Sequence, residues 1–257
     1  MIEAKIRAEA DAKAKAVALP IAAATKEKPW ENSLGMRFVP VAGTEVLFSV
    51  WETRVQDYAA FAQAQGGVDS QWRNPGFTQA NTHPVVKVNW DDAQMFARWL
   101  TDKERREGKI PAAASYRLPQ DWEWSVAVDL DEPRSGTPQD KDERILGVYP
   151  WGTQWPPPRG AGNYEQWLRV DDYEYTSPVG SFAENRFGLN DMGGNVYQWC
   201  EDFYNGTSGN GFLRGSSWKT FYLPRHLLSS NRYSIEHGYR SDTFGFRCVL
   251  VGVDGVR

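Results

Sequence analysis

Between Asp129 and Ser181 the chain is dominated by Gly, Pro, Asp and Trp and shows neither the helical nor the strand period of apolar residues. So long a non-periodic stretch inside a compact domain is functional, or is pinned by something other than ordinary core packing. Composition points the same way. The 12 Trp, 11 Tyr and 12 Phe stand beside 23 Gly and 15 Pro, which favours irregular structure held by large side chains over a helical bundle. The 257 residues suffice for one large domain or two small ones, with a core that needs no disulfides.

On either side of that stretch the chain is periodic. PWENSLGMRFVPVAGTEVLFSVWETR carries the turn residues Asn32, Gly35 and Gly43 between short apolar runs that read as strands. VQDYAAFAQAQ is apolar at Val55, Tyr58, Ala59 and Ala62, and WDDAQMFARWLTDKERREG at Ala93, Phe96, Ala97 and Leu100, which is helical spacing. Asn89 suits the N-cap of the second helix and Gly108 its stop. SYRLPQDWEWSVAV reads as a strand, a Pro turn and a third helix, and FGFRCVLVG as a buried closing strand. The fold class is therefore α+β with few helices, short strands and much fixed loop. Residues 1–27, rich in Ala, Lys and Glu, form a helical tail or linker, open to an upstream domain or partner, and residues 28–257 form the folded domain.

A net charge of −4 and a pI near 5.5 provide no electrostatic footprint for nucleic acid or an anionic membrane. No stretch approaches the roughly 20 apolar residues of a membrane span, and the lysine- and acid-rich start lacks a signal peptide's apolar centre, so a cytoplasmic location is expected. His83, His226 and His237 are widely separated, and no nucleophile elbow, Walker loop, dinucleotide fingerprint or CxxC pair occurs. Cys200 and Cys248 sit in apolar runs where a thiol acts as a small hydrophobe, and two cysteines are too few for a disulfide scaffold. Asn163, Asp171, Asp172, Asp191 and Asn195 lie in turns that either hold a hard cation such as Ca²⁺ or are Asx-turns that fix the backbone unaided.

The ordered blocks HPVVKVNWDDAQMFARWL, YRLPQDWEW, YPWG, SPVGSF, NRFGLNDMGGNVYQWCED, LRGSSW and GFRC resemble the formylglycine-generating (sulfatase-modifying) enzyme family from about Asn32 to Val251. The resemblance implies a variant of the C-type lectin fold. It also implies two calcium sites: one on the Asn163 side chain, the Tyr164 carbonyl, Asp171 and the Tyr173 carbonyl, the other on Asp191, Gly194, Val196 and Gln198, where the family has Glu in place of Gln198. The oxidising members carry two copper-binding cysteines at positions that here are Thr220 and Arg225. Neither side chain supplies the thiolate that Cu(I) needs, and no helical domain with an iron site of the ergothioneine-type sulfoxide synthases precedes the fold, so neither copper nor iron is expected.

A third branch of the fold, similar to the variable proteins of diversity-generating retroelements, displays hypervariable residues before a C-terminal GFR. RYSIEHGYRSDTFGFR (Arg232–Arg247) matches its Asn-rich undiversified form, RNNNxPDNRNNNIGFR, in length and at Arg232, Arg240, Gly245, Phe246 and Arg247. Most intervening residues are reachable from Asn codons by changes at adenine alone; Glu236 is not. The resemblance makes Tyr233, Ser234, Ile235, His237, Tyr239, Ser241, Asp242, Thr243 and Phe244 variable contact positions within a region of about 218–244, with Phe221, Tyr222 and His226 as an extension. Ordinary drift in a solvent-facing loop explains the same run equally simply. Tyr, Ser, Gly, His and Asp on a rigid scaffold have the composition of a paratope, so a non-enzymatic module for a protein ligand is the leading expectation. The alternative is an oxidoreductase or accessory domain of the same family with a partner-completed metal site.

Overall fold

The structure, a computed structural model, describes residues 20–207, 209–220 and 223–256. The tail expected over residues 1–27 lies outside the described residues up to position 19. From there Ile21 and Ala24 are already core side chains, so the packed unit begins earlier than the change of sequence texture at Lys28.

Asn32 makes the first turn, its Oδ1 accepting the Leu34 and Met36 N–H groups at 2.9 and 3.0 Å. Strands β1 (Trp30–Glu31), β2 (Arg37–Pro40) and β3 (Leu47–Ser49) follow one another as an antiparallel meander. Helix α1 (Val55–Gln65) and helix α2 (Trp90–Arg106) turn their apolar faces inward. Asn89 caps α2 as expected: its Oδ1 accepts the Asp92 N–H at 2.8 Å while Asp92 returns a bond to the Asn89 N–H. Tyr58, Phe61, Phe96 and Phe246 interlock in the main core with ring centroids 5.2 to 6.4 Å apart. Each such ring contributes roughly 1.5–3 kcal/mol by leaving water. Strand β4 (Ser115–Arg117), a Pro turn and helix α3 (Asp121–Ala127) come next.

The non-periodic stretch contains only the one-turn helix α4 (Pro138–Lys141) and a 3₁₀ turn at Gln166–Leu168. Its pins are aromatic, as the composition implied. Tyr149, Tyr164 and Val170 pack with Leu227 and Leu228 into a separate small core.

Strands β5 (Tyr197–Trp199), β6 (Asn210–Arg214), β7 (Tyr233–Glu236) and β8 (Phe244–Gly245) form a second sheet in the order β7-β6-β5-β8, with β8 parallel to β5. The run after Arg232 is thus two strands joined by a turn. Only Tyr233 and Ile235 alternate in β7, too short a signal to separate an edge strand from a loop. Strand β9 (Val249–Val251) then inserts between β3 and β4, closing the first sheet with the C-terminal segment as expected. Cys200 and Cys248 are free and fully buried, and burial pushes both thiols well above the ordinary value. Among the described residues no helix is long and apolar enough to cross a membrane.

Candidate functional site

A cavity of about 530 Å³ opens where the ends of the second sheet meet. Tyr197 begins β5, Tyr233 begins β7 and Phe244 begins β8, so three strand starts deliver three rings to one place. Their centroids lie 5.4 to 6.1 Å apart, and Tyr239 reaches over Phe244 at 6.1 Å. The turn after β6 adds Ser217, Lys219 and Thr220, and the turn before β8 adds Ser241, Asp242 and Thr243. Asp142 and Glu143, directly after α4, also line the cavity.

Of the expected contact positions the cavity gathers His226, Tyr233, Tyr239, Ser241, Asp242, Thr243 and Phe244. Tyr233 and Tyr239 are the displayed rings, 43% and 54% exposed. Phe244 is not a displayed residue: at 3% exposure it is a core side chain, because β8 pairs with β5 and presses the ring against Trp199 and Tyr197. Thr243 is buried as well. Ser234, Ile235 and His237 do not line the cavity. Ile235 packs on the main core, Ser234 meets Asn210 across β6, and His237 turns to Asp91 at 3.2 Å. Phe221 and Tyr222 lie outside the described residues. Asp142, Glu143, Tyr197 and Ser217 lie outside the expected region of about 218–244, and Lys219 and Asn231 lie within it without having been singled out. A positive φ of 52° at Glu143 marks it afterwards, but that is a backbone property with no residue-type signature.

Beneath the floor lies a buried ion cluster. Asp121, at the start of α3, accepts from Arg214 Nη1 at 2.6 Å and from Arg232 Nε and Nη2 at 3.0 Å each, and meets Lys141 Nζ at 2.5 Å. Glu132 shares the Arg232 guanidinium. Burial pushes the Asp121 carboxyl up, but Arg214 and Arg232 beside it outweigh that and hold it well below the usual carboxylate range. The Arg232 N–H is bonded by Asp142 Oδ1 at 2.7 Å, so the cluster fixes β7 and the acidic edge together.

Two quartets were expected to hold calcium. In the first, Asp171 accepts the Tyr164 and Tyr173 N–H groups at 2.9 Å each. Asn163 gives its Nδ2 to the Tyr175 carbonyl at 2.8 Å and leaves its Oδ1 buried without a donor. The Asn163 Oδ1 is an orphaned acceptor of the kind a hard cation satisfies, while both Asp171 oxygens are already engaged by backbone N–H groups. The second quartet does not fit as expected, and the reason lies at Gln198. Its Oε1 already accepts from Arg247 Nε at 2.7 Å and Trp124 Nε1 at 3.1 Å, and its Nε2 donates to the Asp191 carbonyl at 2.7 Å. Arg247 also donates to the carbonyls of Ser49, Asn190 and Asp191. Asp191 keeps one open oxygen, and Gly194 and Val196 lie in the same turn, but a guanidinium occupies the amide that would complete the set.

At the two positions where the resemblance places cysteines in oxidising members, Thr220 is buried and accepts the Ser217 N–H at 2.7 Å, and Arg225 is exposed with its Nε on His226 Nε2 at 3.3 Å. Neither Cys200 nor Cys248 lines the cavity.

The sequence profile of the "Sulfatase-modifying factor enzyme 1-like domain" matches residues 26–251. The chain belongs to this family. It is 32% identical over 146 residues to the formylglycine-generating enzyme of Thermomonospora curvata, covering 52% of this chain and 39% of that one. It is 30% identical to the inactive C-alpha-formylglycine-generating enzyme 2 of Bos taurus, covering 69% of this chain and 55% of that one. The chain thus spans little more than half of these relatives at most. Among solved structures, Treponema denticola variable protein 1 shares the fold at a TM-score of 0.59 and 18% identity, covering 86% of this chain and 98% of that one.

Proposed function

We propose that this family member is a non-enzymatic binding protein, a variable protein of a diversity-generating retroelement, which offers interchangeable side chains around the Tyr233–Tyr239 cavity to a protein ligand. One observation carries the reading. The residues that match the undiversified pattern are anchors: Arg232 is locked in the ion cluster, Arg240 forks onto Asp92 at 2.8 and 2.9 Å, and Arg247 is fully buried. The exposed rings, Tyr233 and Tyr239, belong to the set reachable by adenine changes, whereas Thr243 and Phe244 of the same set are buried and stand with the anchors. A scaffold that tolerates mutation needs this partition, because replacing a buried paired charge costs several kcal/mol and replacing an exposed side chain costs little. The likeness of fold to the treponemal variable protein supports the same reading.

Copper-thiolate oxidation lacks its ligands at Thr220 and Arg225, a hydroxyl and a guanidinium. The decisive test is to sequence the flanking DNA and independent isolates. A neighbouring reverse transcriptase and a near-repeat of the segment encoding Trp218–Arg247, differing at adenines only, are the expected result. Identical sequences without such a repeat would remove the retroelement, and copper near one per purified chain would overturn the non-enzymatic reading.

A further inference from the structure

The cavity's charge is unequally spent. Lys219, its exposed cation, faces Asp242 at 3.5 Å, and Arg232 turns its guanidinium inward to Asp121 and Glu132. That leaves Asp142 and Glu143. Asp142 accepts only neutral donors, the Arg232 N–H at 2.7 Å and the Tyr204 hydroxyl at 2.9 Å. Glu143 accepts from the neutral Asn231 amide at 3.2 Å. Among the described residues neither carboxylate has a cation within ion-pair distance.

Glu143 is also held in a left-handed conformation, φ 52°, with its N–H on the Ser230 carbonyl at 3.1 Å. Such a conformation is uncommon for a residue with a Cβ, and at Glu143 it places an unpaired acid on the cavity edge. The same cavity is lined by the exposed rings of Tyr233 and Tyr239. Carboxylates and exposed tyrosine rings lining one cavity are complementary to a planar cation, which forks onto the acids and stacks on the rings.

Resting on the binding role proposed above, we infer that the group this cavity receives is an arginine side chain presented by a protein partner. Arg225 stands outside the cavity lining with its Nε on His226, so it does not fill the place itself.

The probe is the capped tripeptide Ac-Gly-Arg-Gly-NH₂, compared with its Gln and Glu counterparts, titrated into the full chain and followed by NMR shifts of the tyrosine rings. The Arg peptide is expected to bind saturably and at least about tenfold more tightly than the Gln peptide, and to weaken as salt is raised. Glu143→Gln should cost about tenfold and Tyr239→Ala about fivefold, while both variants still melt cooperatively near the parent temperature. Glu143→Lys should shift preference to the Glu peptide. Equal binding of all three peptides, absence of saturable Arg binding, or indifference to Glu143→Gln overturns the inference. If the Glu peptide binds and depends on Tyr239, the arginine assignment falls while the binding role stands. The DNA test is independent of either result.

Discussion

Phe244 and Tyr239 lie five positions apart in one run and have opposite duties. Phe244→Ala is expected to cost about 3–5 kcal/mol, because its ring is a buried contact of Tyr197 and Trp199. Tyr239→Ala should cost about 1 kcal/mol or less. Urea unfolding of the two variants measures the difference, and equal losses would place Tyr239 in the core. At the thiols, burial raises both pKa values, so the native chain should not react with a disulfide reagent at pH 8, and both cysteines should react once it is unfolded. The Asn89 cap and the buried cysteines were legible from their neighbours in sequence. Gln198 was not: its amide is engaged by Arg247 and Trp124, which only the fold brings to it.

Strand β7 owes its position to the ion cluster beneath it. Asp121→Asn leaves Arg214, Arg232 and Lys141 short of a carboxylate and should cost about 3–5 kcal/mol. Because the folded-state pKa of Asp121 is lowered, its stabilisation is fully present above the ordinary carboxylate value, about 4, and is lost as pH falls toward the folded value. Acid unfolding followed by circular dichroism should therefore be steeper in the parent than in the Asn variant. The turn before β5 is limited by space. A Cβ on Gly194, at φ 80°, would lie 2.5 Å from the Asn163 carbonyl oxygen, so Gly194→Ala should lower the melting temperature and displace the Asn163 loop. The helices were readable because their apolar periods are long enough to be distinctive, and the closing strand, itself three residues, because it lies in the longer apolar run FGFRCVLVG. β7 and β8, four and two residues long, fall below that threshold.

At the scale of the whole molecule, the non-periodic segment supplies Tyr149, Tyr164 and Val170 of the small core as well as all four members of the first oxygen quartet. If calcium occupies Asn163 and Asp171, a hundredfold excess over its Kd should add about 2.7 kcal/mol to stability, and Asn163→Ala should abolish that gain. Thermal melting with calcium and with chelator checks it, and superimposable curves would show that Asx-type bonds suffice.

The sequence alone determined the fold class, the long helices with their cap, the burial of the cysteines and the family, because these depend on local periodicity and on blocks that can be read in order. Only the tertiary structure decided which members of the C-terminal run face solvent, that Asp142 and Glu143 share their cavity, and that Arg247 engages Gln198. Each of these joins residues roughly 50 to 100 positions apart or turns on the pairing of short strands, where long-range packing outweighs local propensity.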